Sequence, residues 1–182
     1  MLGGILIIIL TGPLAFFLIG ALKRRYPLID DSLLRKLFLF HVLMGFVYYL
    51  YASFNPSDSL AYYNSIAQDT LGETWFSFYG TTTTFIKFIG YPFVKFLGFS
   101  YEACMALFNF FGFIGFLYFY VLFKENIRFK HTLFGVDLLT LIFFLPNLHF
   151  WSSSFGKGAI IMMGIGLFFY VIGMISTRWI AI

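Results

Sequence analysis

The chain is short of charge. Twelve lysines and arginines and eight aspartates and glutamates make up 11% of its 182 residues, where a soluble domain carries roughly 25%. So few charges cannot cover a water-facing surface, which excludes an ordinary soluble globule. Cysteine is almost missing. Cys104 stands alone, so no internal disulfide can form, and inside an apolar run it reads as a small packed side chain. The spacing of a zinc site, a GxSxG nucleophile elbow, a Walker A loop or a dinucleotide fingerprint is absent, so no metal and no cofactor is expected. The basic residues sit in short clusters between apolar runs. That pattern carries membrane topology, and nucleic acid is not expected as a partner.

What the chain has is apolar and aromatic residues, 60% and 24% of the sequence. A bilayer-spanning helix needs about 20 largely apolar residues, and several such runs fit. The reading is an all-α, polytopic membrane helix bundle forming a single transmembrane domain over residues 1–182. Its expected spans are Leu2 to Leu22, Leu37 to Phe54, Tyr101 to Phe123, Thr132 to Leu145 and Gly158 to Ser176. Between the second and third, Phe85, Phe88, Ile89, Phe93, Phe96 and Leu97 recur on one helical side. Lys87, Tyr91 and Lys95 lie towards the other. That predicts an outer interfacial or re-entrant helix.

Basic residues orient this map. Lys23, Arg24, Arg25, Arg35, Lys36, Lys124, Arg128, Lys130 and Arg178 fall on one side, and Lys87, Lys95 and Lys157 on the other. The positive-inside rule then puts the N-terminus outside and makes 55–100 and 146–157 the outer loops. The basic flank follows the first apolar run instead of preceding it, so that run reads as an uncleaved helix and not a secretory signal. The final "TRWIAI" reads as the start of another apolar run, as in a fragment or a truncated reading frame.

Three groups could carry chemistry. In "NPSDSLAYYNSIAQ", Asn55 to Gln68, Asn55 suits an N-cap, Pro56 the first helical position and Asp58 the third. An acid there stabilises a helix start. Asp58 and Tyr62 are four apart and share a helix face, so a carboxylate and a phenol project together, with Tyr63 beside them. Such a carboxylate can take a proton from a hydroxyl nucleophile, and aromatic faces suit sugar rings or lipid tails. Asp69 and Glu73 read as solvated loop acids. In "HFWSSSFGKG", one of Ser152, Ser153 and Ser154 is expected to cap the following helix. Its N-terminus and Lys157 would make an anion site, with His149 as a donor or acid–base group and Trp151 at the interface. Within the bilayer, His41 and Asp137 fall at similar depths, about 8–9 Å from the inner boundary at about 1.5 Å per residue. Ionisable groups at such depth are usually paired, so a structural His41–Asp137 contact is expected.

"NPSDSLAYYNSIA" and "LPNLHFWSSSFGKGAIIMMGIGL" resemble the first outer loop and a Pro…His-Phe-Trp-Ser…Gly-Lys stretch of bacterial exopolysaccharide and O-antigen repeat-unit polymerases. These are related in fold to membrane-embedded glycosyltransferases with lipid-linked donors. The resemblance covers roughly residues 40 to 176. It implies a polymerase at the extracytoplasmic face of the bacterial cytoplasmic membrane, acting on undecaprenyl-pyrophosphate-linked oligosaccharide. Asp58 would be catalytic base, and Ser152, Ser153, Ser154 and Lys157 would hold the pyrophosphate. Other polysaccharide assembly proteins are its implied partners. The pattern departs from that family in its small number of spans and in having no outward-facing arginine. Two other classes remain open on the residues alone: a transporter of lipid-linked oligosaccharide, and a non-catalytic subunit of an export assembly.

Overall fold

The computed structural model describes residues 2–68, 74–126 and 132–180. Asp69, Glu73, Arg128, Lys130 and His131 lie outside the described residues. In chain order the helices are α1 (Leu2–Arg25), α2 (Asp31–Phe54), α3 (Asp58–Ala67), α4 (Thr83–Tyr91) and α5 (Tyr101–Asn126). The short strands β1 (Thr132–Leu133) and β2 (Val136–Asp137) follow, then α6 (Leu138–Phe143), α7 (Pro146–Ser152) and α8 (Lys157–Ile180). Helices α1, α2, α5 and α8 are long and apolar enough to cross a membrane. The protein is an all-α membrane bundle with four such helices, where the apolar runs suggested five.

Helix α5 is the axis. It buries residues along most of its length, from Ala103 to Val121, and α1, α2, α7 and α8 all pack on it. Helix α1 packs on it and buries the stripe Thr11, Ala15, Ile19 and Leu22, spaced four, four and three. The rest of α1 presents Leu6, Ile9, Leu10 and Phe17 outwards, as a helix facing lipid tails should. Lipid is as apolar as leucine, so burying such side chains against each other gains little. Close backbone approach decides the packing instead. A Cβ on Gly115 or Gly166 would strike the other helix, which fixes the α5–α8 crossing.

The contacts also fix direction. Gly115 lies by Met162 and Gly166, and Gly173 by Leu122 and Asn126, so α5 and α8 run parallel. Two parallel neighbours need a chain that returns through the bundle, and residues 138–156 are that return. Phe143 meets Tyr120 and Phe116, His149 stacks on Phe116, Ser152 lies at Gly112, and Phe155 packs on Phe108. The return is not one helix. Helix α6 stops at Phe143, and Pro146, which cannot continue it, opens α7.

This corrects the expected fourth span, Thr132 to Leu145. Thr132–Asp137 is a hairpin, closed by Phe134 and Gly135 with both φ positive, as a tight two-residue turn requires. The crossing runs later, through residues expected in an outer loop. His149, Ser152, Ser153, Ser154 and Phe155 are all buried. Hydropathy missed this because the crossing carries a histidine and three serines, all of them buried.

Helix α4 and the π-helical turn Pro92–Phe96 form the short helix expected between the second and third spans. Its inner face differs from the expected stripe. Ile86, Gly90, Tyr91 and Val94 pack inwards, while Phe85, Phe96 and Leu97 are exposed. The segment is apolar on both sides, one resting on the bundle and one free for lipid.

One end of the bundle therefore holds the start of α1, the end of α2, α3, α4 and the start of α5. Gly4 abuts Glu102 there. Lys23, Arg24, Arg25, Arg35, Lys36 and Lys124 lie at the other end.

Candidate functional site

A cavity of about 370 Å³ opens at the end that carries α3. Its walls come from the last turns of α2 (Tyr48, Tyr51), the start of α3 (Ser57, Asp58, Ser59, Tyr62) and the α7–α8 junction (Trp151, Ser154 to Gly158). The two polar stretches singled out in the sequence, some 90 residues apart, thus meet on one hollow.

The local start of α3 frees Asp58 for the cavity. Asn55 does not cap α3; its backbone N–H donates to the Tyr51 carbonyl at 3.0 Å and closes α2. The cap is Ser57, whose hydroxyl accepts from Leu60 N at 3.4 Å. Asp58 becomes the first helical residue, still favourable at a helix N-terminus, and its side chain is not needed as the cap. Its Oδ2 accepts from the Tyr62 hydroxyl at 3.3 Å, so the shared face is real. Tyr62 is buried. Burial, and after it the Asp58 carboxylate, hold the Tyr62 phenol above the usual tyrosine range. It stays a donor to Asp58 across neutral and mildly alkaline pH. Tyr63 does not line the cavity. Its hydroxyl donates to the Phe99 carbonyl at 3.3 Å and its ring packs on Tyr101, and burial raises its pKa also.

The opposite wall divides the three serines. Ser152 Oγ donates to Leu148 O at 2.6 Å and Ser153 Oγ to Phe150 O at 3.2 Å. Both hydroxyl protons turn back into α7, and neither serine caps α8, which starts at Lys157. Ser154 lines the cavity with no hydrogen-bond partner among the described residues. Lys157 is half-buried there, without an ion pair among the described residues. The first backbone N–H groups of α8 lie at this rim, and a helix N-terminus with an adjacent ammonium favours an anion. Trp151 is exposed, with its indole N–H on Asn147 Oδ1 at 3.0 Å.

Two expected assignments are corrected. His149 is not at the cavity. It is buried, with Nδ1 2.8 Å from His41 Nδ1 and Nε2 2.6 Å from the Phe143 carbonyl. His41 therefore pairs with His149, not with Asp137. Asp137 ends β2 and caps α6, its Oδ2 accepting from Thr140 N at 3.3 Å. Counting residues along an assumed straight helix placed Asp137 at the depth of His41; the hairpin invalidates that count.

The sequence reading missed Tyr48, Tyr51 and Phe155. The first two sit three apart in "YYLY", a spacing that puts them on one face of α2, and this was the available signal. Among the described residues no group of three or more histidine, cysteine, aspartate or glutamate side chains could hold a metal ion. Comparison with family models, with curated proteins and with solved structures finds no match.

Proposed function

We propose that the protein is a membrane glycosyltransferase of the polysaccharide-polymerase type, acting on an undecaprenyl-pyrophosphate-linked oligosaccharide. The observation that carries this reading is the meeting of Asp58 and Lys157 on one cavity walled by aromatic side chains. An acceptor sugar hydroxyl would attack the anomeric carbon of the donor. Asp58 would take the hydroxyl proton. The bond from the anomeric carbon to the phosphate oxygen would break, its electron pair leaving with the lipid pyrophosphate. Lys157 and the α8 N-terminus would stabilise that charge. Tyr62 would orient Asp58, and Tyr48, Tyr51 and Trp151 offer faces for sugar rings.

The setting supports the reading. Four helices suit a bilayer. Against Lys87, Lys95 and Lys157 at the cavity end, Lys23, Arg24, Arg25, Arg35, Lys36 and Lys124 gather at the end away from the cavity. By the positive-inside rule that end is cytoplasmic, so the cavity faces outwards and the N-terminus lies outside. On this reading the location is the bacterial cytoplasmic membrane, and other polysaccharide assembly proteins are partners.

The test is Asp58→Asn, which keeps shape but not basicity. A lost positioned base lowers rate by about 10²–10⁴-fold. The readout is polymer length on lipid-linked oligosaccharide, with membrane level measured alongside. Normal accumulation with wild-type extension would remove the enzyme reading.

One observation favours transport instead. A set of buried polar residues, Ser154, Ser153, Asn109, His41 and His149, lies inwards of the cavity. It abuts Phe113, Phe116 and Phe143. A transporter would move the lipid-linked glycan without lengthening it, which the same assay separates.

A further inference from the structure

At the centre of the bundle two histidines touch. His41 and His149 are both fully buried. Their Nδ1 atoms are 2.8 Å apart. His41 Nε2 lies 3.0 Å from the Asn109 carbonyl, and His149 Nε2 2.6 Å from the Phe143 carbonyl. A carbonyl oxygen only accepts, so each Nε2 must carry a hydrogen. A neutral imidazole carries a hydrogen on one nitrogen alone. Two neutral rings would therefore leave both Nδ1 atoms as bare lone pairs, pointing at each other at hydrogen-bond distance. One more hydrogen between them satisfies all four nitrogens.

We propose that His41 and His149 together bind one excess proton, as a hydrogen-bonded imidazole–imidazolium pair buried in the bundle. The proton comes from the aqueous phase. It forms one N–H bond on either Nδ1 and a hydrogen bond to the other, and the pair carries a single positive charge. Burial opposes any charge. Here the charge is spread over two rings whose hydrogen bonds are charge-assisted, and aromatic faces surround it. The His149 ring stacks on Phe116 at 4.2 Å and 8°, and meets Phe40 edge-on at 4.9 Å. His41 is flanked by Phe116 and Phe113. A stacked face such as that of Phe116 attracts a cation. From α2, α5, α6 and α7 no other charged or titratable side chain faces the pair among the described residues. The remaining polar neighbour is Asn109, whose amide donates to the His41 carbonyl at 2.9 Å.

The shared proton joins α7 to α2. The next residues of α7, Phe150 and Trp151, pack on Tyr48, and Trp151 lines the cavity. Proton occupancy is thus tied to one cavity wall. The inference stands on the ring geometry and is independent of the chemistry proposed for the cavity.

The test is nitrogen-15 magnetic resonance of the full chain in lipid bilayers, labelled at histidine. A His131→Gln chain removes the third histidine signal and identifies the other two. At pH 7 the expected result is two protonated Nε2 signals, plus a Nδ1–Nδ1 coupling through one shared proton. The pattern should persist on both sides of the pH near 6.5 at which a free histidine titrates. Two rings with one N–H each and no coupling would overturn the proposal. So would four N–H groups at pH 7, or a pair that titrates together with free histidine.

Discussion

Ser59 and Tyr101 share a hydroxyl–hydroxyl hydrogen bond of 2.7 Å that ties the start of α3 to the start of α5. Ser59 is the residue after Asp58, so this tether helps to set where the carboxylate stands. Tyr101→Phe keeps the ring and removes the bond. We expect a stability loss of about 0.5–1.5 kcal/mol, read by thermal unfolding in detergent. Extension should also slow, but less than in Asp58→Asn. Equal loss in both variants would mean that α3 itself has come away.

The cap and the candidate base are separate residues, so their effects on stability should separate. Ser57→Ala is expected to lower stability by about 0.5–2 kcal/mol, the usual range for a lost N-cap. Asp58→Asn should change it less, since the side chain does not cap α3. A larger drop for Asp58→Asn would return Asp58 to a structural role.

Gly112 and Gly164 make a matched pair. A Cβ at Gly112 would run into the Ser152 carbonyl, whereas at Gly164 it would meet nothing within 4 Å. Gly112→Ala forces the return segment off α5, and we expect a loss of more than about 1–3 kcal/mol, the typical overpacking cost. Gly164→Ala should be neutral or slightly stabilising, as alanine suits a helix better by about 1 kcal/mol. Membrane accumulation and thermal unfolding read both.

Orientation is open to thiol labelling in a Cys104→Ala background. Asn55→Cys and Thr132→Cys are both exposed and lie at opposite ends of the bundle. In intact cells an impermeant reagent should modify the first and reach the second only after permeabilisation. Ser153→Cys, buried in the return segment, should stay protected throughout. The reverse order for the first two would invert the proposed topology.

Long uniform patterns were legible in the sequence. The runs that became α1, α2, α5 and α8 are apolar over enough residues for one property to decide them. The Asp58–Tyr62 face was legible because its four-residue spacing lies within one helix. The return through the bundle was not legible. Two of its serine hydroxyls are satisfied by near neighbours, Ser152 by Leu148 and Ser153 by Phe150, and hydropathy does not register a serine whose hydroxyl is already bonded. The His41–His149 contact joins residues 108 apart in the chain, so no local spacing could reveal it. Both stretches that line the cavity were visible, but their meeting depends on the parallel run of α5 and α8.

That parallel run dictates an order of assembly in the membrane. A single helix can enter lipid alone, because its backbone is satisfied from within. Residues 138–156 cannot, since their backbone is interrupted after α6 and again after α7. They need a prepared slot, with Gly112 leaving space for Ser152, Phe116 for the His149 ring, and α2 already in place to bring His41. So α2 and α5 must associate before the return segment can seat against them, and α8 meets both α5 and α7. The cavity, one of whose walls is the α7–α8 junction, is then completed only once the return segment is seated.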